Sequence, residues 1–307
     1  MTASVTVRQG GGMTVDLAAA AGFLAGSARV LDRRRADLLF GGGAPEPVLA
    51  ALDGYRNPDG GYGWGLEPDL RSRTSQPAGA LHALEALADT GVAGAERALR
   101  VCDWLATATL PDGGLPFALP IPDPAACAPF WASADLSRSS LQITAVVAAT
   151  AHRVAAAVPA VAGHPWLATA TDHCLTAIEA VDAGTHAMEL AFAVQFLDAA
   201  AAVRPEATAA VERLQDLVPA DGLLHVAGGA ADEYMRPLDF APFPGGPARS
   251  LFAPAVVEAE LDRLVAGQQD DGGWTVDFDS YSPAAALEWR GHRTVEALSL
   301  LRANGRL

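Results

Sequence analysis

Hydrophobic positions along the chain fall into helical segments of two kinds. In residues 256–267 the apolar set Val257, Leu261, Leu264 and Val265 recurs at helical steps, with Glu258, Glu260, Asp262 and Arg263 among the intervening positions. Val48, Leu49, Leu52 and Tyr55 repeat the pattern, as do Val211, Leu214, Leu217 and Val218. These segments predict helices with one wet face. By contrast, residues 76–88, 141–151 and 187–202 are apolar or small nearly all the way round, which predicts helices buried on every side. Period-two alternation of Val, Ile, Thr and aromatic residues is almost absent, so strands are not expected.

Four short turns punctuate these helices: Asp59-Gly60-Gly61-Tyr62, Asp112-Gly113-Gly114-Leu115, Asp221-Gly222-Leu223-Leu224 and Asp271-Gly272-Gly273-Trp274. Their aspartates stand 53, 109 and 50 residues apart, and the long interval is close to two periods with one degenerate turn between. A period of about 50 residues fits a helix–turn–helix unit with a generous loop. Alternating half-exposed and fully buried helices describe two layers, an inner ring of buried helices and an outer ring facing water. The prediction is an all-α, double-layer (α/α) barrel of about five to six helix pairs, one domain over residues 1–307, with 1–44 as an N-terminal helical segment. Residues 222–250 are rich in Gly and Pro with no helical run, and read as a surface excursion or a cap over one end of the barrel.

Composition narrows the function. The chain has 307 residues and 50% hydrophobic content, and its 21 basic residues are all Arg, which excludes a Schiff-base lysine and a P-loop NTPase of the usual pattern. A formal charge of −15 argues against nucleic acid and anionic membrane surfaces as partners. Cys102, Cys127 and Cys174 are widely spaced in apolar surroundings, form no CxxC pair, and are expected to be buried reduced thiols. Asp16 precedes the only N-terminal apolar stretch, 17–25, where a signal peptide needs a basic region. No stretch approaches the ~20 apolar residues of a membrane span. A cytoplasmic protein without an integral membrane span is expected.

The last turn reads Gln268-Gln269-Asp270-Asp271-Gly272-Gly273-Trp274, and Gln268, Gly272 and Trp274 make a Gln-x-x-x-Gly-x-Trp motif. In the other turns the Gln position holds Arg56, Thr109 and Val218, and the Trp position holds Tyr62, Leu115 and Leu224. With its helix-pair period, the chain resembles the terpenoid cyclase and protein prenyltransferase α/α-toroid superfamily, over roughly residues 45–305, through the QW repeat of squalene–hopene cyclases. The resemblance implies a hydrophobic isoprenoid substrate, protonation of an alkene by an aspartic acid, and aromatic stabilisation of the carbocations that follow. Gln268 and Asp271 themselves read as structural staples at helix ends.

The acid motif of such cyclases is Asp-x-Asp-Asp, and its nearest counterpart is Asp277-Phe278-Asp279-Ser280, which makes Asp277 or Asp279 the candidate acid. Burial and a neighbouring carboxylate would both raise such a pKa. Trp64, Trp274, Phe278, Tyr281 and Trp289 are candidate aromatic walls of the cavity. Glu67, Asp69, Arg73, His292 and Arg293 precede or begin buried helices and are expected around one mouth of the barrel, where they could bind a polar head group or handle protons. Thr74 and Ser75 are N-cap candidates. His292-Arg293-Thr294 is similar to the Tyr-His-Thr of prenyltransferase β subunits, whose His ligates zinc. The Asp-x-Cys partner of that site is missing, so neither metal nor cofactor is expected, and His82, His152, His173 and His186 read as core or surface residues. Two other functions remain open: a non-catalytic toroid that binds or scaffolds, and a carbohydrate-active enzyme pairing Glu67 or Asp69 with a second carboxylate.

Overall fold

The computed structural model describes residues 14–307, and the first part of the expected N-terminal segment, residues 1–13, lies outside them. The described chain is mostly helical. Its α-helices are α1 (Leu17–Ser27), α2 (Val30–Phe40), α3 (Glu46–Asp53), α4 (Pro77–Thr90), α5 (Ala95–Ala108), the short α6 (Pro129–Ala132), α7 (Leu141–Ala157), the short α8 (Pro159–Ala162), α9 (Pro165–Ile178), α10 (Ala187–Ala200), α11 (Glu206–Leu214), the short α12 (Pro237–Phe240), α13 (Pro254–Ala266) and α14 (Pro283–Ala303). A minimal antiparallel pair joins β1 (Leu224–His225) to β2 (Tyr234–Met235). Proline opens α4, α9, α13 and α14, where its missing N–H costs nothing. The Asp16, Ser140 and Ser282 side chains cap α1, α7 and α14 by accepting a backbone N–H. No described helix is long and apolar enough to cross a membrane.

The three segments without a polar face are α4, α7 and α10, and most of their side chains are buried. Ala80, Ala83, Ala145, Ala148, Ala191 and Ala193 are fully covered, and these small residues let neighbouring helices approach closely. α7 packs on α4 at one side and α10 at the other, while the amphipathic α5, α9 and α11 lie against α4, α7 and α10 respectively. From α10 the packing continues to α12, α13, α14 and α2, and α2 packs on α4.

The repeat is visible in hydrogen bonds. In all four turns an aspartate accepts the N–H two residues on: Asp59 from Gly61, Asp112 from Gly114, Asp221 from Leu223 and Asp271 from Gly273. The residue at the Trp position then donates its N–H to a threonine of the next buried helix, Leu115 to Thr144 of α7 and Trp274 to Thr294 of α14. Gln268 is a staple, as its type suggests. Its amide accepts the Asp16 N–H and donates to the Asp16 and Gly272 carbonyls at 2.8, 2.8 and 3.0 Å, clasping the start of α1 to the last turn. Two expectations change here. Ser75 and Thr74 do not cap α4: Ser75 donates to Asp59 and Thr74 bonds Ser72, because the chain turns back on the first turn before α4 begins. Residues 222–250 do not merely loop over the surface either. β2, α12 and the turn at Pro247–Leu251 pack on α10, burying Met235, Leu238, Phe240 and Ala248.

Gly272 has φ of 91°, and a Cβ there would sit 2.2 Å from the Ala19 backbone. Gly272→Ala is therefore expected to lower stability by ~3 kcal/mol or more, combining left-handed strain with a backbone clash. Gly305→Ala is the matched control, with φ of 71° and nothing within 4 Å, and should lose only ~1 kcal/mol. Equal losses in urea unfolding of the two variants would show that the contact with α1 contributes nothing.

Candidate functional site

The polar residues of the site stand out because the helices that carry them are otherwise apolar. On α4, His82 and Glu85 are one turn apart and share a face. The loop between the first turn and α4 folds back over that face and buries Glu67 and Asp69. His82 is bonded on both sides: Nε2 lies 2.8 Å from Glu67 and Nδ1 lies 2.8 Å from Glu85. Burial works against a charged imidazole here, but the two carboxylates outweigh it and push His82 up to about 10. Burial likewise opposes ionisation of Glu85, yet His82, His292 and Arg35 hold it well below the usual carboxylate range.

α14 supplies the facing wall. His292 is buried with Nε2 3.9 Å from the same Glu85 oxygen, beyond hydrogen-bonding distance, and burial lowers its pKa. Trp289 stands edge-on to both imidazoles, with centroids 5.7 and 5.6 Å away, and donates its indole N–H to Asp69 at 2.7 Å. Asp69 also accepts the Tyr281 N–H at 2.8 Å. Burial raises the Asp69 pKa, and these two donors partly offset it.

Further charges converge from neighbouring helices. Arg35 of α2 pairs with Asp89 of α4 at 2.7 Å. Arg293 bonds Glu296 on α14 at 2.8 Å and lies near Asp239 of α12. Arg153 of α7 lies near Glu85 and Asp89 of α4, Glu296 of α14 and Arg35 of α2. Among the described residues no carboxylate comes within 4.0 Å of Arg153: its Nη2 donates to the Thr150 hydroxyl at 3.1 Å, its guanidinium lies over the Phe243 ring, its Nε has no hydrogen-bond partner, and burial lowers its pKa. These groups are reachable, since the side chains of Glu85 and Glu296 are 21% and 45% exposed.

The residues expected at the site divide accordingly. Glu67, Asp69, Trp289 and His292 come together, and Arg293 lies further along α14. Phe278 packs edge-on against Trp289, 5.2 Å between centroids. The others sit elsewhere. Trp64 is 51% exposed, with φ of 59°, its indole bonded to Asn57 and Arg73 over its ring. Trp274 is buried as part of the last turn, donating to the Leu264 carbonyl, and so lines no cavity. Asp277 is a surface carboxylate shared by Arg236 and Arg263 at 3.3 and 3.8 Å, the reverse of a sequestered acid. Asp279 is exposed beside Phe278 and Tyr281 in an open depression of about 440 Å³.

His82, Glu85, Arg35, Arg153 and Asp239 are the residues that composition and motif did not single out. The signal available was polarity itself: His82 and Glu85 interrupt an otherwise apolar helix at a spacing that shares one face. A prenyltransferase-type zinc site does not fit, because among the described residues no cysteine joins His292: Cys102, Cys127 and Cys174 are buried elsewhere as free thiols. The donors of His82, Glu85 and His292, however, lie within 4.8 Å of one another, a cluster the expectation of no metal did not foresee.

No family model and no curated protein matches the chain. Among solved structures it is similar to one described as the crystal structure of a protein from Actinoplanes, at 16% identity and a TM-score of 0.52, covering 95% of this chain and 92% of that one. That likeness concerns the fold alone.

Asp239 gives the site a pH signature. Burial raises it to about 6, with Arg293 partly offsetting, while it accepts the Arg236 N–H at 2.8 Å. A carboxyl whose folded pKa exceeds its unfolded value near 3.9 destabilises the fold when charged, and that penalty fades as pH falls through 6 towards 4. Asp239→Asn keeps an acceptor for the N–H and should raise stability by ~1–3 kcal/mol at pH 7.5, by about a third of that at pH 4.5 and by nearly nothing at pH 3.5. Denaturant melts across that range check it, and a pH-independent difference would contradict the burial argument.

Proposed function

We propose that this chain is an α/α-toroid protein that holds a small anionic molecule, one bearing a carboxylate or phosphate, in the interior between α4, α7, α10 and α14. The His82–Glu85–His292 centre acts on that molecule. Support for the toroid comes from a packing order that leaves α4 for α7 and α10 and returns through α14 and α2. The single observation behind the ligand class is Arg153. A guanidinium left without a carboxylate partner in a protein interior is costly, and an anion supplies what it lacks. Arg293 and Arg35 already have Glu296 and Asp89, so of these three guanidiniums Arg153, bonded to the Thr150 hydroxyl alone, is the one with donors to spare.

An isoprenoid cyclase fits this interior less well. Carbocations need an apolar aromatic enclosure that offers no nucleophile, whereas Glu85, Glu296 and Asp239 are oxygen nucleophiles beside the space. Thermal-shift and calorimetric titrations should find stabilisation by phosphate, citrate or related anions, weakened at least ~10-fold in Arg153→Gln. Farnesol should not bind, and farnesyl diphosphate should bind only through its diphosphate. A cyclised hydrocarbon made from an isoprenoid diphosphate and lost in Asp279→Asn would overturn this reading in favour of protonation-initiated cyclisation.

A further inference from the structure

His82 alone would be satisfied as an imidazolium between Glu67 and Glu85. His292 is not accounted for in that way. It is buried on α14, its Nε2 faces Glu85 at 3.9 Å, and among the described residues no hydrogen bond reaches its ring. Nδ1 of His82 and Nε2 of His292 approach one and the same carboxylate oxygen, at 2.8 and 3.9 Å. Two imidazole nitrogens and a carboxylate oxygen converging on one point are the donor set of a first-row divalent ion.

We propose that His82, Glu85 and His292 bind one divalent transition-metal ion, zinc in the first place, with Glu67 orienting His82 from behind. Donors each ~2.1 Å from a tetrahedral zinc ion stand about 3.4 Å from one another, so the contacts of 2.8 and 3.9 Å to Glu85 shift by roughly half an ångström each, while the two imidazole nitrogens, within 4.8 Å of one another, close by up to about 1.4 Å through side-chain rotation. The bond from His82 Nε2 to Glu67 fixes the tautomer that presents Nδ1 to the ion, the carboxylate–histidine–metal arrangement. Within the cluster itself Glu67 and Glu85 face one imidazolium, while Arg35, already paired with Asp89, and Arg153 lie further out. A divalent ion that displaces the shared Nδ1 proton to water balances both carboxylates, with both histidines neutral. Three protein donors leave a coordination position open towards the interior, where a bound anion or water would complete the shell. Trp289 walls the opposite edge of both imidazoles.

This inference deepens the ligand reading, and the two fail separately, because zinc is titrated with no organic anion present. The full chain, stripped with a chelator and exchanged into metal-free buffer, is titrated with zinc chloride by calorimetry, and its metal content is measured by mass spectrometry. One ion per chain with a dissociation constant at or below about 1 µM is expected. His292→Ala and Glu85→Gln should weaken binding at least ~100-fold, and Glu67→Gln, which touches no ion, by ~10–100-fold. His225→Ala, an exposed histidine on β1, should leave it unchanged. Circular dichroism verifies that each variant is folded, and if His292→Ala is not, the graded loss in Glu67→Gln carries the test. Folded wild-type protein that takes up no stoichiometric zinc overturns the proposal, as does zinc retained equally by the Glu67, Glu85 and His292 variants.

Discussion

Two carboxylates, the buried Glu67 and the partly exposed Glu85, bracket the imidazole of His82, and the junction of three distant parts of this protein is organised around that pairing. Removing the partner of a buried charge costs roughly 3–5 kcal/mol, so the buried Glu67, whose ion-pair partner among the described residues is His82, depends on that imidazole. The consequence reaches beyond the site. Glu67 belongs to the loop that precedes α4, and its bond to His82 fixes that loop on the helix. Two residues on, Asp69 receives the Tyr281 N–H and the Trp289 indole, and its carbonyl receives the Ala128 N–H. Arg71 closes the same junction with a bidentate pair to Glu288 at 2.7 and 3.0 Å. One short loop thus joins α4, the region before α7 and the start of α14, three parts of the chain far apart in sequence.

The elements were legible because their cause is local. An apolar period of 3.6 marks α3 and α13, an all-round apolar run marks α4, α7 and α10, and Asp-Gly-Gly turns end the outer helices. Gln268 and Asp271 read correctly as staples for the same reason: they bond backbone groups within the turn or close to it in space. The site was half legible. Glu67, Asp69, Trp289 and His292 are polar or aromatic residues crowded just before or within buried helices, and crowding can be seen in a sequence. Their meeting with His82 and Glu85 cannot, since α4 and α14 are about 200 residues apart and only closure of the helix packing brings them together. Asp277 was misjudged because its partners, Arg236 and Arg263, come from a Pro-rich segment and the outer helix α13, and no local pattern announces them.

The resemblance to terpenoid cyclases through Gln268, Gly272 and Trp274 concerns the joints of the fold. Those residues clasp α1 to the last turn and aim the chain into α14, and any chemistry compatible with the scaffold could keep them. What decides chemistry is the set of side chains that the helices turn inwards. Here the charged groups gathered between α4, α7 and α14 are Glu85, Arg153, Arg293 and the more exposed Glu296, with Trp289 as the main aromatic surface at the imidazoles. Aromatic rings attract a cation by ~0.5–2 kcal/mol, far less than a nearby carboxylate in the same low-dielectric surroundings. A cationic intermediate would therefore be drawn to oxygen and trapped.

The absence of lysine acquires a physical meaning in this setting. A lysine in a protein interior readily loses its proton, because burial disfavours the charged ammonium and nothing in its chemistry resists. A guanidinium retains its charge under the same conditions. Arg35, Arg153 and Arg293 are therefore positive charges around neutral pH, and each presents a planar fork that matches a carboxylate or phosphate. Against these constants only a few groups can change state near neutral pH. Asp239 is one, raised to about 6 beside Arg293. On the anion-binding proposal, this positive framework would set the ligand class while a small number of acidic and imidazole groups respond to pH, a division of labour that an interior built on lysine could not maintain.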